Sequence, residues 1–358
     1  MGVRIRKYGI IVLALLWLQG FSPVLFAQNH IISDSAEFEA MYSKSKELLD
    51  RGSAGEALMA ARSALNIAMQ AEMEDAEIKS LLAIGDINVS LNNHEDALPY
   101  YLRAANVLEY AGKNKWITGI YYKIASSYRM EKVYDKETEY YLKALSTLQP
   151  TMKEEKREFL RRAGEASLNN NQPDSAIHYF HLFNNLLSLS DSSYPQSLIL
   201  LNRAHREAGN FDSCIYYSSR LFDIYEDANM LEKMSAVKNN LGYYHTLEKE
   251  YELALENYLL AIDYGKQANL SNRDIALMYA NSGICYENMN EPGSAKYYFK
   301  EAISLLKNDQ YAPERSRILN ILALINYNEN DLYNAGFFSK NAIASAEMAV
   351  DYELMSQA

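Results

Sequence analysis

A chain of 358 residues is long enough for two or three globular domains, and its 49% hydrophobic content is ample for burial. With 15 Gly and 7 Pro, the composition is not that of a linker-rich or disordered chain. A formal charge of −11 argues against nucleic acid or an anionic membrane surface as the main partner, because both want a basic face.

The first 27 residues read as an export signal. Arg4, Arg6 and Lys7 form a positive start, Ile10 to Leu18 is an unbroken apolar run, and Gly20, Ser22 and Pro23 break it before Phe26-Ala27-Gln28, a plausible cleavage point. An uncleaved N-terminal anchor is the alternative, although the apolar stretch is short for a full span. Cleavage takes the charge to −14 by removing Arg4, Arg6 and Lys7. No cysteine lies near the cleavage point, so a lipoprotein signal is not supported, and no later segment is long and apolar enough to cross a membrane. The expected location is periplasmic or at the cell envelope. Residues 28–37 read as a short linker.

From Phe38 to Met348 one pattern recurs. Ala57, Ala97, Ala176, Ala254, Ala295 and Ala335 each open a helix-like stretch, and Glu137 and Cys214 fill the two gaps. The eight marks follow one another at intervals of 38 to 41 residues. Seven positions after the alanines stand Ala64, Ala104, Ala261, Ala302 and Ala342, with Phe183 breaking the rule. A period in that range marks stacked supersecondary units rather than one globular core.

The sixth unit shows the parts. Met234, Val237, Leu241 and Tyr244 are spaced three or four apart, as on one apolar helix face. Glu248-Lys249-Glu250 is a polar turn, and Tyr251, Ala254, Leu255, Tyr258 and Ala261 mark a second helix. The spacing predicts an antiparallel hairpin whose apolar faces need burial by the next hairpin. Asn92-Asn93-His94-Glu95, Asn171-Gln172-Pro173-Asp174, Gly209-Asn210-Phe211-Asp212 and Asn290-Glu291-Pro292-Gly293 punctuate other units at the same place with turn-forming residues. Twelve residues before the mark stands Gly85, Gly164, Gly242 or Gly283 in four units and Ala125 or Ala323 in two, letting two helices approach closely.

A small residue in the first helix, a Tyr three positions later (Tyr128, Tyr286) and two alanines in the second helix resemble the tetratricopeptide repeat (TPR), in a long-helix form of about 40 residues per unit. The resemblance covers nearly the whole mature chain. It implies an all-α, right-handed superhelical solenoid of about eight TPR helix hairpins, with the start of a further helix over 349–358 as a cap or truncated ninth repeat. Units four and five depart from the motif: Phe183 and Leu221 stand at the second alanine, Asn202 at the glycine and Cys214 at the first alanine. Those two units are expected to pack less regularly.

The resemblance also implies that the first helix of each unit lines the concave face, through positions three before, one after and four after the small residue. Units three to five place Tyr122, Ser126, Arg129, Arg161, Glu165, Arg203 and Arg206 there. Four arginines on one groove suit an acidic ligand, since guanidinium binds carboxylate or phosphate bidentately. A solvated face with internal pairs to Glu165 and Glu207 is the plain alternative. The Lys and Asn set with which some family members clamp a terminal carboxylate is not reproduced. Units six to eight offer Asn239, Tyr243, Asn320, Leu324 and Tyr327: amides for a peptide backbone and tyrosines for rigid contact area.

Nothing in the sequence points to catalysis, a cofactor or a metal. No nucleophile elbow, phosphate-cradling loop or HExxH motif occurs. His178 and His181 have ligand-like spacing but no companion set, and His205 and His245 read as packing residues. Cys214 and Cys285, two repeats apart, read as small buried residues rather than a disulfide. The expectation is a non-enzymatic, exported scaffold for a protein or peptide ligand. Exported arrays of this style, often from the Bacteroidota, also precede a transmembrane helix and a histidine-kinase or DNA-binding output domain, so the sensor half of such a regulator is the alternative.

Overall fold

A computed structural model of the chain describes residues 23–110, 112 and 116–357. Of the expected export signal, residues 1–22 lie outside the described residues. The chain divides into two compact units, Met1–Gln172 and Pro173–Ala358. The first contains α1 (Pro23–Asp50), α2 (Ala54–Gln70), α3 (Glu74–Ser90), α4 (His94–Tyr110), α5 (Ile117–Met130), α6 (Tyr134–Ser146) and α7 (Lys153–Asn169). The second contains α8 (Pro173–Asn184), α9 (Tyr194–Glu207), α10 (Phe211–Asp227), α11 (Leu231–Leu247), α12 (Tyr251–Gln267), α13 (Asn272–Asn288), α14 (Pro292–Leu305), α15 (Ala312–Asn328) and α16 (Leu332–Gln357), with a 3-10 turn at Asp309–Tyr311. All regular structure among the described residues is helical, and none of these helices is long and apolar enough to cross a membrane.

Both ends differ from the sequence expectation. Residues 28–37, read as a linker, belong to α1, since no Pro or Gly interrupts the chain between Pro23 and Asp50. Residues 349–357 continue α16 rather than opening a new helix, because no Gly, Pro or Asn falls between Ala342 and Gln357.

The turns inside the repeats share one construction. The residue five before each mark has positive φ: Gly52, Asn92, Lys132, Asn171, Gly209, Lys249, Asn290 and Asn330. The next residue's N–H reaches back to a carbonyl of the preceding helix, as from Asn93 to Asn88 (2.9 Å) or Glu250 to His245 (2.8 Å). The positive-φ residue itself donates three back, as from Asn92 to Val89 (2.9 Å). This paired closure satisfies the helix's last carbonyls without help from neighbours. Gly and Asn tolerate the left-handed conformation; Lys132 and Lys249 occupy it at a steric cost.

The repeated small residues are the sites of closest helix approach. Ala57, Ala97, Ala176, Ala254 and Ala295 are completely buried, as are Ala64, Ala104, Ala144, Ala261 and Ala302. Four residues after the mark, an aromatic ring fills the space over the glycine of the first helix. A Cβ on Gly85 would stand 2.4 Å from the Tyr101 ring, one on Gly242 2.7 Å from Tyr258, and one on Gly283 2.9 Å from Phe299. The glycine is thus set by its ring. Where the ring is absent, as at Ala61 and Ser339, Ser45 and Ala323 take the glycine's place.

Repeat five replaces that ring-on-glycine contact with polar atoms. Asn202 Nδ2 donates to the Cys214 carbonyl (2.8 Å) and Ser218 Oγ (2.9 Å), and its Oδ1 accepts from the Tyr244 hydroxyl (2.6 Å). Ser218 stands where other repeats have the ring, so the amide fills the vacated volume and keeps its hydrogen bonds. Cys214 is buried and unpaired, and burial pushes its thiol up to about 11. Cys285 is likewise buried and unpaired.

Apolar clusters span three successive helices. Tyr194 and Leu198 of α9 meet Leu221 and Tyr225 of α10 and Met234, Val237 and Leu241 of α11. In the first unit, Phe38 joins Ala64, Ala68 and Ala76 across α1 to α3. Each hairpin's core is completed by the next hairpin's first helix, and this is why a single repeat does not suffice.

Candidate functional site

In the first unit, the start of α5, the 147–152 loop and the first turns of α7 enclose a cleft of about 680 Å³. That volume lies within the range of sites that hold small ligands or peptide side chains. Tyr122, expected at the site, stacks on Phe159 (5.6 Å between centroids, 26° between planes) and tilts against Tyr141 (6.1 Å). Trp116, 45% exposed, and Met152 extend this apolar lining. Gly119 also lines the cleft, and nothing stands within 4 Å of where its Cβ would be. Thr118 Oγ1 donates to the Thr147 carbonyl (3.2 Å), which ties α5 to the loop.

The charged lining is acidic: Glu154, Glu155 and Glu158, with no Lys or Arg. Arg161 and Arg162 bind Glu158 (2.6 and 2.7 Å), and Arg157 binds Glu154 (2.9 Å). Glu155 is exposed and has no ion pair among the described residues. Arg161 also binds Glu165 (2.6 Å), so its guanidinium is held between two carboxylates of its own helix. Ser126 is half-buried, and Arg129 is exposed with no ion pair among the described residues.

The remaining expected positions fall in the second unit. Arg203 is exposed on α9, and Arg206 pairs with exposed Glu207 (3.1 Å). Asn239 on α11 is half-buried, with its Oδ1 enclosed and lacking a donor. Tyr243, Leu324 and Tyr327 are 46%, 54% and 63% exposed, and Asn320 is exposed beside them in sequence register. Large apolar side chains at the register positions one or four after the small residue are thus left to solvent on α11 and α15.

The sequence reading missed three features. It passed over the cleft because Trp116, Gly119 and Phe159 lie outside the three-position frame; a lone Trp and a mid-chain Gly at a helix start were the available signals. It took Glu137 only as a gap-filler. Glu137 occupies the alanine slot of repeat three at 2% exposure, and its Oε2 has no hydrogen-bond partner. Burial pushes the carboxyl up to about 7, with Arg129 opposing and Glu165 adding to the shift. The reading also did not anticipate how the histidines meet: buried His205 stacks on Tyr217 (5.5 Å) and lies 6.1 Å from His181, and burial lowers the pKa of both imidazoles. Among the described residues, no three His, Cys, Asp or Glu side chains are grouped to hold a metal ion.

No protein-family model and no curated protein matches the chain. Solved structures do. The C-terminal part of a TPR repeat-containing protein from Cytophaga hutchinsonii gives a TM-score of 0.52 at 19% identity, over 75% of this chain and 97% of that one. A signal transduction ATPase with numerous domains that carries a tetratricopeptide repeat sensor, from Pyrococcus horikoshii, gives 0.52 at 15% identity. That match covers 95% of this chain, which spans about half, 52%, of the ATPase. The helix-hairpin repeats and these likenesses give the chain the tetratricopeptide-repeat fold.

Proposed function

Given a tetratricopeptide-repeat fold, we propose that this chain is a non-enzymatic scaffold that binds a protein or peptide partner, acting after export in the periplasm or at the cell envelope. The observation that carries the reading is the exposure of Tyr243, Leu324 and Tyr327 at repeated register positions of the first helices. Exposed aromatic and aliphatic anchors at regular spacing are what a partner surface needs, because a few such residues dominate binding energy. Asn239 and Asn320 on the same helices supply amides beside them. Export rests on the basic start and apolar run of residues 1–27.

The test is in-cell crosslinking followed by mass spectrometry, comparing the native chain with a Tyr243→Ala/Tyr327→Ala double variant. The expected result is one dominant crosslinked partner whose yield falls at least tenfold in the variant. Equal yields would remove this face from the site. A second reading, favoured by the likeness to the ATPase with a repeat sensor, makes the chain the sensing part of a membrane-bound signalling regulator. It predicts that the protein isolated from its own cells has an intact mass well above 40.8 kDa.

A further inference from the structure

The cleft of the first unit has a chemistry that neither the fold nor the exposed face of the second unit supplies. Its lining combines three aromatic rings (Trp116, Tyr122 and Phe159) with three carboxylates and no cation. Glu154 and Glu155 stand in the first turn of α7, where the helix dipole alone favours acidic residues. Glu158, a turn further on, is outside that explanation, and the absence of any basic residue from the lining is independent of it. The neighbouring arginines are bound to Glu154 and Glu158 from outside the lining, leaving Glu155 as the uncompensated charge.

Gly119 adds a second, steric observation. At other helix positions, glycine is set by a ring pressed against it, as Gly85 is by Tyr101. At Gly119 nothing presses, so its absent side chain leaves the cleft open without serving internal packing.

We propose that this cleft docks a basic, amphipathic peptide segment, with a Lys or Arg whose cation lies over the ring faces beside Glu155 and whose stem, with an adjacent apolar residue, packs on Met152 and Phe159. Ring faces attract cations through their quadrupole, and a long aliphatic stem suits an apolar floor with a charged rim. The inference rests on the scaffold reading and assigns the charge of one partner segment: basic here, where the arginines of the sequence had suggested acidic.

Trp116 makes the cleft directly readable, since the only other tryptophan is Trp17. In full-length Trp17→Phe protein, Trp116 fluorescence is titrated with two acetylated, amidated hexapeptides, one alternating Arg with Leu and one alternating Glu with Leu. The expected result is a saturable change with the Arg peptide only, weakened about tenfold by Glu155→Lys and abolished by Gly119→Leu. Unchanged helical circular dichroism and melting in both variants show that they remain folded.

A response to the Glu peptide that Gly119→Leu abolishes overturns the charge assignment. Absence of any response, or a response to the Arg peptide that survives Gly119→Leu, overturns the site. Either failure leaves the crosslinking result at Tyr243 and Tyr327 untouched, so the scaffold reading stands or falls separately.

Discussion

Replacing Glu137 by the alanine found at equivalent marks should stabilise the first unit at alkaline pH and not at acidic pH. The carboxyl is 2% exposed, and its Oε2 lacks a partner. The charged groups that face it are Arg129 of α5 and Glu165 of α7, with the Tyr141 phenol on its own helix. Its ordinary value of 4.5 rises to about 7 in the folded chain, so folding favours the protonated form. The favourable contribution is complete below pH 4.5, declines as pH rises through about 7, and is then lost. At about 1.4 kcal/mol per pH unit, that interval corresponds to about 3 kcal/mol. Glu137→Ala removes this dependence and also removes buried methylenes, at a cost of about 1 kcal/mol. The variant is therefore expected to be slightly less stable than wild type at pH 4.5 and about 2 kcal/mol more stable at pH 8.5. Urea unfolding followed at Trp116 in a Trp17→Phe background, across that range, measures the difference within α5. A wild-type-minus-variant difference that stays constant with pH would refute the reasoning.

Gly85→Ala sets a new Cβ 2.4 Å from the Tyr101 ring and should cost about 1–2 kcal/mol despite alanine's better helix propensity. Gly336→Ala in α16 meets nothing within 4 Å and should gain about 0.5–1 kcal/mol; thermal melts of the two variants should shift in opposite directions. Tyr244→Phe leaves the buried Asn202 Oδ1 without its donor and should lower stability by about 1–3 kcal/mol, visible as faster hydrogen exchange in α9 to α11. Lys132→Gly and Lys249→Gly relieve left-handed backbone at two turns and should each raise the melting midpoint, by about 0.5–1 kcal/mol of stability.

The hairpins were legible because closest approach permits so few side chains. Alanine or glycine at a 40-residue period records helix contact directly, and Asn or Gly before each mark records the left-handed closure. Repeat five was legible as a departure, but its compensation was not. The Asn202 amide meets Ser218 and Tyr244 through the fold, 16 and 42 residues away in sequence. The candidate site was less legible. The register frame located Tyr122, Tyr243 and Tyr327, yet side-chain pairing decides what an arginine offers, and Arg161 is held by Glu158 and Glu165 within four residues of itself. The cleft escaped because it is made at helix starts and a loop, where position depends on how two repeats meet rather than on any one repeat's spacing. The chain's ends misled for the opposite reason: signals of processing and of phase were read where the local residues simply continue a helix.

The shared closure of the turns has a consequence for how such a gene can change. Each turn is completed by bonds between residues at most five apart, so its geometry is carried by the local sequence. A segment cut from one left-handed residue to the next, such as 52 to 92, begins and ends at equivalent points of the backbone path. Recombination between such points would delete or duplicate one hairpin while leaving every junction of the same kind. The two costs are the core contacts across the new seam, which ring and glycine must match, and the loss of any ligand cleft built across it. Array length would then drift more readily than the residues that bridge neighbouring repeats, and chimaeras joined at these points are the natural way to find how many hairpins a partner requires.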